Sequence, residues 1–332
     1  MRILILGGTA WLGRTVAALG VAEGHDVVCL ARGVSGAVPS GASLVVGERD
    51  RPDAYDVVSG QSWDAVIDVS RQPSHVREAL QALSATTRHW VFVSTCNVYA
   101  DASRLDGDES DPLLEPLPVD EPATPETYGA GKVACELSVL EHRGSQGALI
   151  ARAGLIGGPD EPFDRCGYWP WRFARPAAPG GAVLVPDVPE LITSVIDVRD
   201  LARFLLDTAT MRISGTFDTV GERLPLKSHL TTARLVAGHR GPLVSASPEW
   251  LTEHGVQPWM GERSLPLWLP PDSVGMTARQ GVHARAAGLV TRPLADTLTD
   301  TLVWELAREQ PRPRRAGLTD DDERVLLAEL RP

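Results

Sequence analysis

Short apolar runs alternate with amphipathic stretches through roughly the first 160 residues. The runs fall at 2–6, 26–30, 43–46, 65–69, 90–94 and 148–151. They are rich in Val and Ile and lack strict two-residue alternation, the signature of parallel strands covered on both faces. Between them, 12–23, 75–85 and 130–142 carry helical spacing. Strand–helix alternation of this kind predicts βαβ units and an α/β fold, a Rossmann-type doubly wound parallel sheet. Beyond Gly157 the pattern changes. Residues 159–190 are rich in Pro, Gly and aromatics, 191–220 return to strand and helix patterning, and 221–310 are mixed. The expected organisation is a dinucleotide-sized Rossmann domain at 1–158, rejoined by 191–220, with a smaller substrate lobe from 159–190 and 221–332. The run PRPRRAG at 311–317 reads as a stiff basic linker before a last short helix N-capped by Thr319.

Composition narrows the class. No apolar run nears the ~20 residues that a membrane span needs, and MRILILGG reads as a first strand, not as a signal peptide. The scattered cysteines (Cys29, Cys96, Cys135, Cys166) form no CxxC pair, so neither a disulfide frame nor a metal site is expected, and a reducing cytoplasm fits. The net charge of -11 opposes broad nucleic-acid binding, which needs a phosphate-neutralising basic face. Among the 32 basic residues only Lys132 and Lys227 are lysine. A lysine kept in so arginine-rich a chain is a candidate for chemistry that arginine cannot perform.

The candidate chemistry begins at the first strand, which runs into Gly7-Gly8-Thr9-Ala10-Trp11-Leu12-Gly13 and then a helix. Gly7 serves a tight turn, the small Ala10 lets backbone approach a pyrophosphate, and Gly13 lets helix and strand pack closely, with the helix amino end facing the anion. At the end of the second strand, where a carboxylate would bind a ribose 2′-hydroxyl, stand Ala31 and Arg32. An arginine there favours a 2′-phosphate, hence NADP over NAD. Tyr128 and Lys132, four apart, share one helix face. A nearby ammonium favours the phenolate, so Tyr128 can exchange a proton with a substrate oxygen while a nicotinamide exchanges hydride. At the carboxyl end of the strand 90–94, Thr95 is the better candidate to hydrogen-bond that oxygen and Ser94 the second.

Taken in order, Gly7–Gly13, Ser94-Thr95-Cys96-Asn97-Val98-Tyr99, Tyr128-Gly129-Ala130-Gly131-Lys132 and Arg152-Ala153-Gly154-Leu155-Ile156-Gly157-Gly158-Pro159 resemble the extended short-chain dehydrogenase/reductase family, also called the NAD-dependent epimerase/dehydratase family. The resemblance covers about residues 1–220. It implies a catalytic triad of Thr95, Tyr128 and Lys132. It also implies cofactor contacts from the glycine turn, from Glu48 near adenine, from Ser70 after the fourth strand, from Lys132 to the ribose, and from the backbone at Leu155 to the nicotinamide amide. A homodimer through a bundle that includes the Tyr128–Lys132 helix is a further implication. Some features depart from the family. Dehydratases carry an Asp-Glu pair where this chain has Cys96 and Asn97, which disfavours dehydration. Leu155 and Thr193 stand where sugar-nucleotide enzymes place an asparagine and an arginine, which makes a nucleotide-sugar substrate doubtful. Arg71 either reaches toward the cofactor phosphates or an acidic substrate, or serves as a surface helix cap.

Aromatics crowd GYWPWRFARP (Tyr168, Trp169, Trp171, Phe173), and Trp259 and Trp268 follow later. Two readings stay open: a flat-walled apolar substrate pocket, or the core of the second lobe. Arg165, Arg172 and Arg175 either bind a carboxylate or are solvated. The function expected is an NAD(P)-dependent oxidoreductase that reduces a carbonyl in a small, partly apolar metabolite with NADPH. The alternatives are an epimerase of the same fold and a non-catalytic dinucleotide-sensing or RNA-associated protein. The intact Tyr/Lys pair and the acidic charge weigh against the last.

Overall fold

The computed structural model describes residues 1–309 and 312–330; Pro311, the first residue of the expected linker, lies outside them. The first half runs β1 (Arg2–Leu6), α1 (Trp11–Ala22), β2 (Asp26–Ala31), β3 (Ser43–Val46), α2 (Asp56–Ser59), β4 (Trp63–Asp68), α3 (Pro73–Leu83), β5 (Thr87–Thr95), α4 (Tyr128–Arg143) and β6 (Ala148–Ala153). It continues through β7 (Leu155–Gly157), α5 (Arg165–Ala174), β8 (Val183–Pro186), β9 (Ile192–Asp197), α6 (Val198–Met211), β10 (Gly215–Thr219) and β11 (Arg223–Pro225). The remainder is α7 (Leu226–Val236), β12 (Leu243–Ala246), α8 (Pro248–Glu253), β13 (Gln257–Pro258), β14 (Ser264–Leu265), α9 (Val282–Ala286), α10 (Leu294–Ala307) and α11 (Asp320–Glu329).

Seven strands form one sheet in the order β10-β6-β5-β4-β1-β2-β3, and every pairing in it is parallel. This is the expected doubly wound sheet. Alternation along each strand divides its side chains between two covered faces. Ile3, Ile5, Ile67, Val91 and Val93 pack with α1 and α6. Leu4, Leu6, Val66, Trp90 and Phe92 pack beneath α3 and α4. Each such fully buried apolar side chain contributes roughly 1.5–3 kcal/mol, so the patterning that marks these strands also holds them. The strand order reverses between β1 and β4, the point where α/β sheets open a crevice beyond their carboxyl ends.

Two details of the later chain differ from the expected division. β9 pairs with β7 and β11 in a separate three-stranded sheet, so of the 191–220 segment only β10 joins the main sheet itself, while α6 and Ile196 of β9 pack onto its face. Ala284 of α9 and Leu289 join the core on the α1/α6 face, so the carboxyl third also covers the sheet.

The aromatic segment resolves the two readings left open. Tyr168, Trp169, Trp171 and Phe173 lie on α5, and all are buried in a core shared with α7, α10 and α11. Trp169 Nε1 donates to the Pro266 carbonyl at 2.8 Å, and Arg314 stacks on Trp171. These side chains fill the second lobe. That corrects the assignment of Tyr168, Trp169 and Trp171 to a substrate pocket, because a side chain enclosed by its own lobe has no face left for a ligand. The segment is helical despite Pro170 inside it; burying four large aromatics outweighs the ~3 kcal/mol that an interior proline costs. Arg172 is neither solvated nor free for a carboxylate. It is fully buried and pairs with Glu323 at 3.1 Å and Asp320 at 2.7 Å, pinning α11. As expected, Thr319 caps α11, its hydroxyl accepting from the Asp322 N–H.

His229 on α7 is buried, and its Nε2 has no hydrogen-bond partner among the described residues. Desolvation alone pushes its pKa down to about 4. In the unfolded chain the ring titrates near ~6.5, so between these values the unfolded state binds more protons than the folded one. Its contribution to stability is therefore complete above ~6.5 and is lost as pH falls through the window. Substituting His229→Leu should remove up to about 3 kcal/mol of this acid sensitivity. Urea unfolding at about pH 7 and pH 5 checks it, as a smaller loss of stability in the variant than in the parent.

Candidate active site at the carboxyl edge of the sheet

Every residue expected at the cofactor or in the triad follows the carboxyl end of a main-sheet strand or sits on α4. Gly7–Gly13 follow β1, Arg32 follows β2, Glu48 follows β3 and Ser70 follows β4; Thr95 ends β5, and Tyr128 and Lys132 lie on α4. The topology places them along one edge of the sheet.

The glycine turn is tight enough that side chains would not fit. Gly7 has φ +99°. A Cβ at Gly13 would lie 2.3 Å from the Gly7 carbonyl oxygen, and one at Gly8 would lie 2.3 Å from Cys29 Sγ. α1 begins at Trp11 with Ala10 as its N-cap and no side chain capping it. Its first-turn N–H groups and the positive end of its dipole are therefore left for an external anion. Thr9 is buried, Ala10 is exposed, and Trp11 and Leu12 are half-buried. These residues fit a pyrophosphate cradle. Arg32 is exposed and makes no hydrogen bond or ion pair among the described residues, so its guanidinium is free for a phosphate. Glu48 is exposed on the loop after β3. Leu155 opens β7 two residues after β6 ends at Ala153, the residue registered against Thr95, and its side chain lies in the second-lobe core.

Lys132 is 2% exposed. Its ammonium donates to the main-chain carbonyls of Ser70 at 2.6 Å and Val93 at 2.5 Å and sits over the Phe92 ring. An ammonium has three donors; two are fixed by these carbonyls, which leaves one of defined direction. The structure thus joins Lys132 directly to Ser70 and to the strand that ends in Thr95. Tyr128, half-buried, opens the same helix one turn earlier. A Cβ at Gly129 would be 2.3 Å from the Asn97 carbonyl oxygen, so the glycine after Tyr128 is what lets α4 press against the turn that follows Thr95. Sequence spacing alone assigns Gly129 no such role.

The Thr95 hydroxyl accepts from the Asn97 N–H at 3.3 Å and donates to Asn97 Oδ1 at 3.2 Å. To donate to a substrate oxygen it must turn away from Asn97, breaking one long hydrogen bond. Ser94 points the other way and donates to Glu136. Glu136 is paired with Arg152 at 2.8 Å, so Ser94 serves packing between β5, β6 and α4.

Two further contacts escaped sequence reasoning. Trp11 Nε1 donates to the Pro159 carbonyl at 2.9 Å, and Arg14 pairs with Asp160. They tie the first turn of α1 to the loop after β7, where Asp160 holds φ +66°. Arg49, beside Glu48, is buried rather than solvated. Neither could be read locally, since each depends on a partner distant in sequence. Among the described residues no cluster of potential metal ligands occurs, and no helix is long and apolar enough to cross a membrane. All four cysteines are free and buried.

Residues 3–215 match the family described as "NAD dependent epimerase/dehydratase family". The chain is 31% identical to 2'-dehydrokanamycin reductase of Streptomyces kanamyceticus over 199 residues, 56% of this chain and 52% of that protein. It is 27% identical to the chloroplast stem-loop binding protein of 41 kDa b of Arabidopsis thaliana over 226 residues, 62% of this chain and 54% of that protein. The match thus spans about half the length of these curated relatives. In fold it is similar to UDP-N-acetylglucosamine 4-epimerase from Bacillus cereus, with TM-score 0.67, 16% identity, and 95% and 99% of the two chains covered.

Gly13→Ala tests the cradle. The nearest atom to the added methyl is backbone, which cannot swing aside. Dinucleotide affinity, followed by quenching of tryptophan fluorescence, should fall by about tenfold or more, while Gly60→Ala, at negative φ and with nothing within 4 Å of its Cβ, should leave it unchanged.

Proposed function

The chain belongs to the NAD dependent epimerase/dehydratase family, and from that premise we propose that it is an NADPH-preferring reductase of a carbonyl group in a small, partly apolar metabolite. The observation that carries the reading is the buried Lys132 ammonium, fixed by two carbonyls one helical turn from Tyr128. Bound nicotinamide dinucleotide would supply the hydride. Tyr128 then delivers its phenolic proton to the substrate oxygen, and Thr95 orients that oxygen by donating to it. The likeness to a relative described as 2'-dehydrokanamycin reductase supports reduction as the reaction class. Cys96 and Asn97, where an acid–base pair would stand in a dehydratase, support the same choice. The unpaired Arg32 at the end of β2 supports NADPH, because it can pair with a 2′-phosphate where a carboxylate would repel it.

A second reading, an epimerase of the same fold, has one observation in its favour. The Trp11–Pro159 and Arg14–Asp160 contacts strap α1 to the loop after β7, and a strap of this kind suits a dinucleotide retained and recycled within each turnover. A dinucleotide that survives purification favours the epimerase, and one that exchanges freely favours the reductase.

A panel of carbonyl compounds with NADPH, followed by loss of nicotinamide absorbance, tests the reductase. Tyr128→Phe should reduce kcat by about 10²-fold or more at unchanged dinucleotide affinity; turnover that persists in this variant would remove the proton donor. Arg32→Ser should lower the NADPH-to-NADH ratio of kcat/KM by roughly tenfold, the loss of a charge-assisted hydrogen bond. Equal use of both cofactors by the parent enzyme would remove the role of Arg32.

A further inference from the structure

Arg49 is a buried cation to which the proposed chemistry gives no part. Its guanidinium donates to four acceptors: the Tyr55 hydroxyl at 2.7 Å, the His75 carbonyl at 2.7 Å, Asp68 Oδ1 at 3.4 Å, and Ser70 Oγ. Asp68, fully buried at the end of β4, accepts on Oδ1 from both the N–H and the hydroxyl of Ser70, while its Oδ2 has no partner. Ser70 is thus gripped three times over, and its carbonyl is one of the two that fix Lys132. A buried ion pair is weak stabilisation, often matched by apolar residues of the same volume, and is best explained where it fixes one geometry.

We propose that Arg49 is the positioning residue of Lys132, acting through Ser70. The guanidinium sets the orientation of Ser70, the Ser70 carbonyl sets one ammonium N–H of Lys132, Val93 sets the second, and the direction of the third is thereby fixed. The planarity of arginine suits it to this position, since one fork reaches Asp68 and Ser70 together while Nε and Nη2 hold Tyr55 and the His75 carbonyl. The relay also ties the loop after β3, with Glu48 beside Arg49, to the nicotinamide end of the crevice. This inference rests on Lys132 as the ammonium of the site. That reading is tested separately by NADPH titration of Lys132→Met, which should lose affinity.

The chain offers a direct probe because Lys132 and Lys227 are its only lysines. Protein labelled with ¹⁵N at lysine Nζ and free of dinucleotide should show two ammonium signals, assigned by Lys227→Arg, a change at an exposed pair with Glu190. The Lys132 signal should be the slowly exchanging one. Ser70→Ala, which removes the hydroxyl link but keeps both charges and the carbonyl, should speed its hydrogen exchange by about tenfold. The double variant Arg49→Met/Asp68→Leu, which removes the pair without leaving a lone buried charge, should do the same. Should the double variant fail to fold, Ser70→Ala decides alone. An unchanged Lys132 exchange rate in Ser70→Ala, or in a folded double variant with a lowered Tm, would overturn the proposal and leave Arg49 as a neutraliser of Asp68.

Discussion

A buried ammonium must find acceptors, and in this chain the nearest are main-chain carbonyls at the carboxyl edge of a parallel sheet. Lys132 takes those of Ser70 and Val93. That single demand joins the loop after β4, the end of β5 and the first turns of α4, with Lys132 standing 62 and 39 positions from its two acceptors. Once they are joined, the remaining site geometry follows. Tyr128 opens α4 one turn before Lys132, Thr95 ends β5 two residues past Val93, and Gly129 must be a glycine for the helix to come close enough.

Below this layer lies a second one made of arginine and carboxylate. Ser94, Glu136, Arg152, Tyr99, Asp218, Arg279 and Asp111 form a continuous buried chain of hydrogen bonds. Tyr99 is sandwiched, with Arg152 5.0 Å and Arg279 3.5 Å from its ring centroid. Arg279 comes from the carboxyl third and also donates to the Asp108 carbonyl, so the long segment between β5 and α4 is tied down from the far end of the chain. The use of the two cations differs for a physical reason. The planar fork of arginine satisfies several acceptors in a fixed plane, which suits structural networks, while the compact ammonium of lysine can sit over an aromatic ring and still direct one proton outward. In an otherwise lysine-poor chain, the lysine on α4 is placed where only a point charge serves.

The second lobe shows the same economy with apolar surface. Its aromatics were plausible walls for a substrate, yet α5 turns all of them inward, and Arg172 follows them to reach Glu323. There they pack with the aliphatic side chains of α7, α10 and α11 in one core.

The sequence by itself determined the parallel sheet, its helices, the glycine turn and the Tyr128/Lys132 pair, because each of these is written in local spacing: continuous apolar runs, a strand-to-helix glycine triplet, two residues on one helix face. The strand ends at 2–6 and 43–46 fell where the spacing put them, and α5 was missed because Pro170 and the surrounding glycines argue locally against a helix that tertiary burial restores. What only the tertiary structure decided was which polar groups are buried together. The burial of Arg49 against Asp68 and Ser70, the half-exposed pairing of Arg14 with Asp160, and the inward turn of Tyr168 and Trp169 depend on partners far away in the chain. The cost of burying a charge or an indole depends on those partners, and no local pattern carries them.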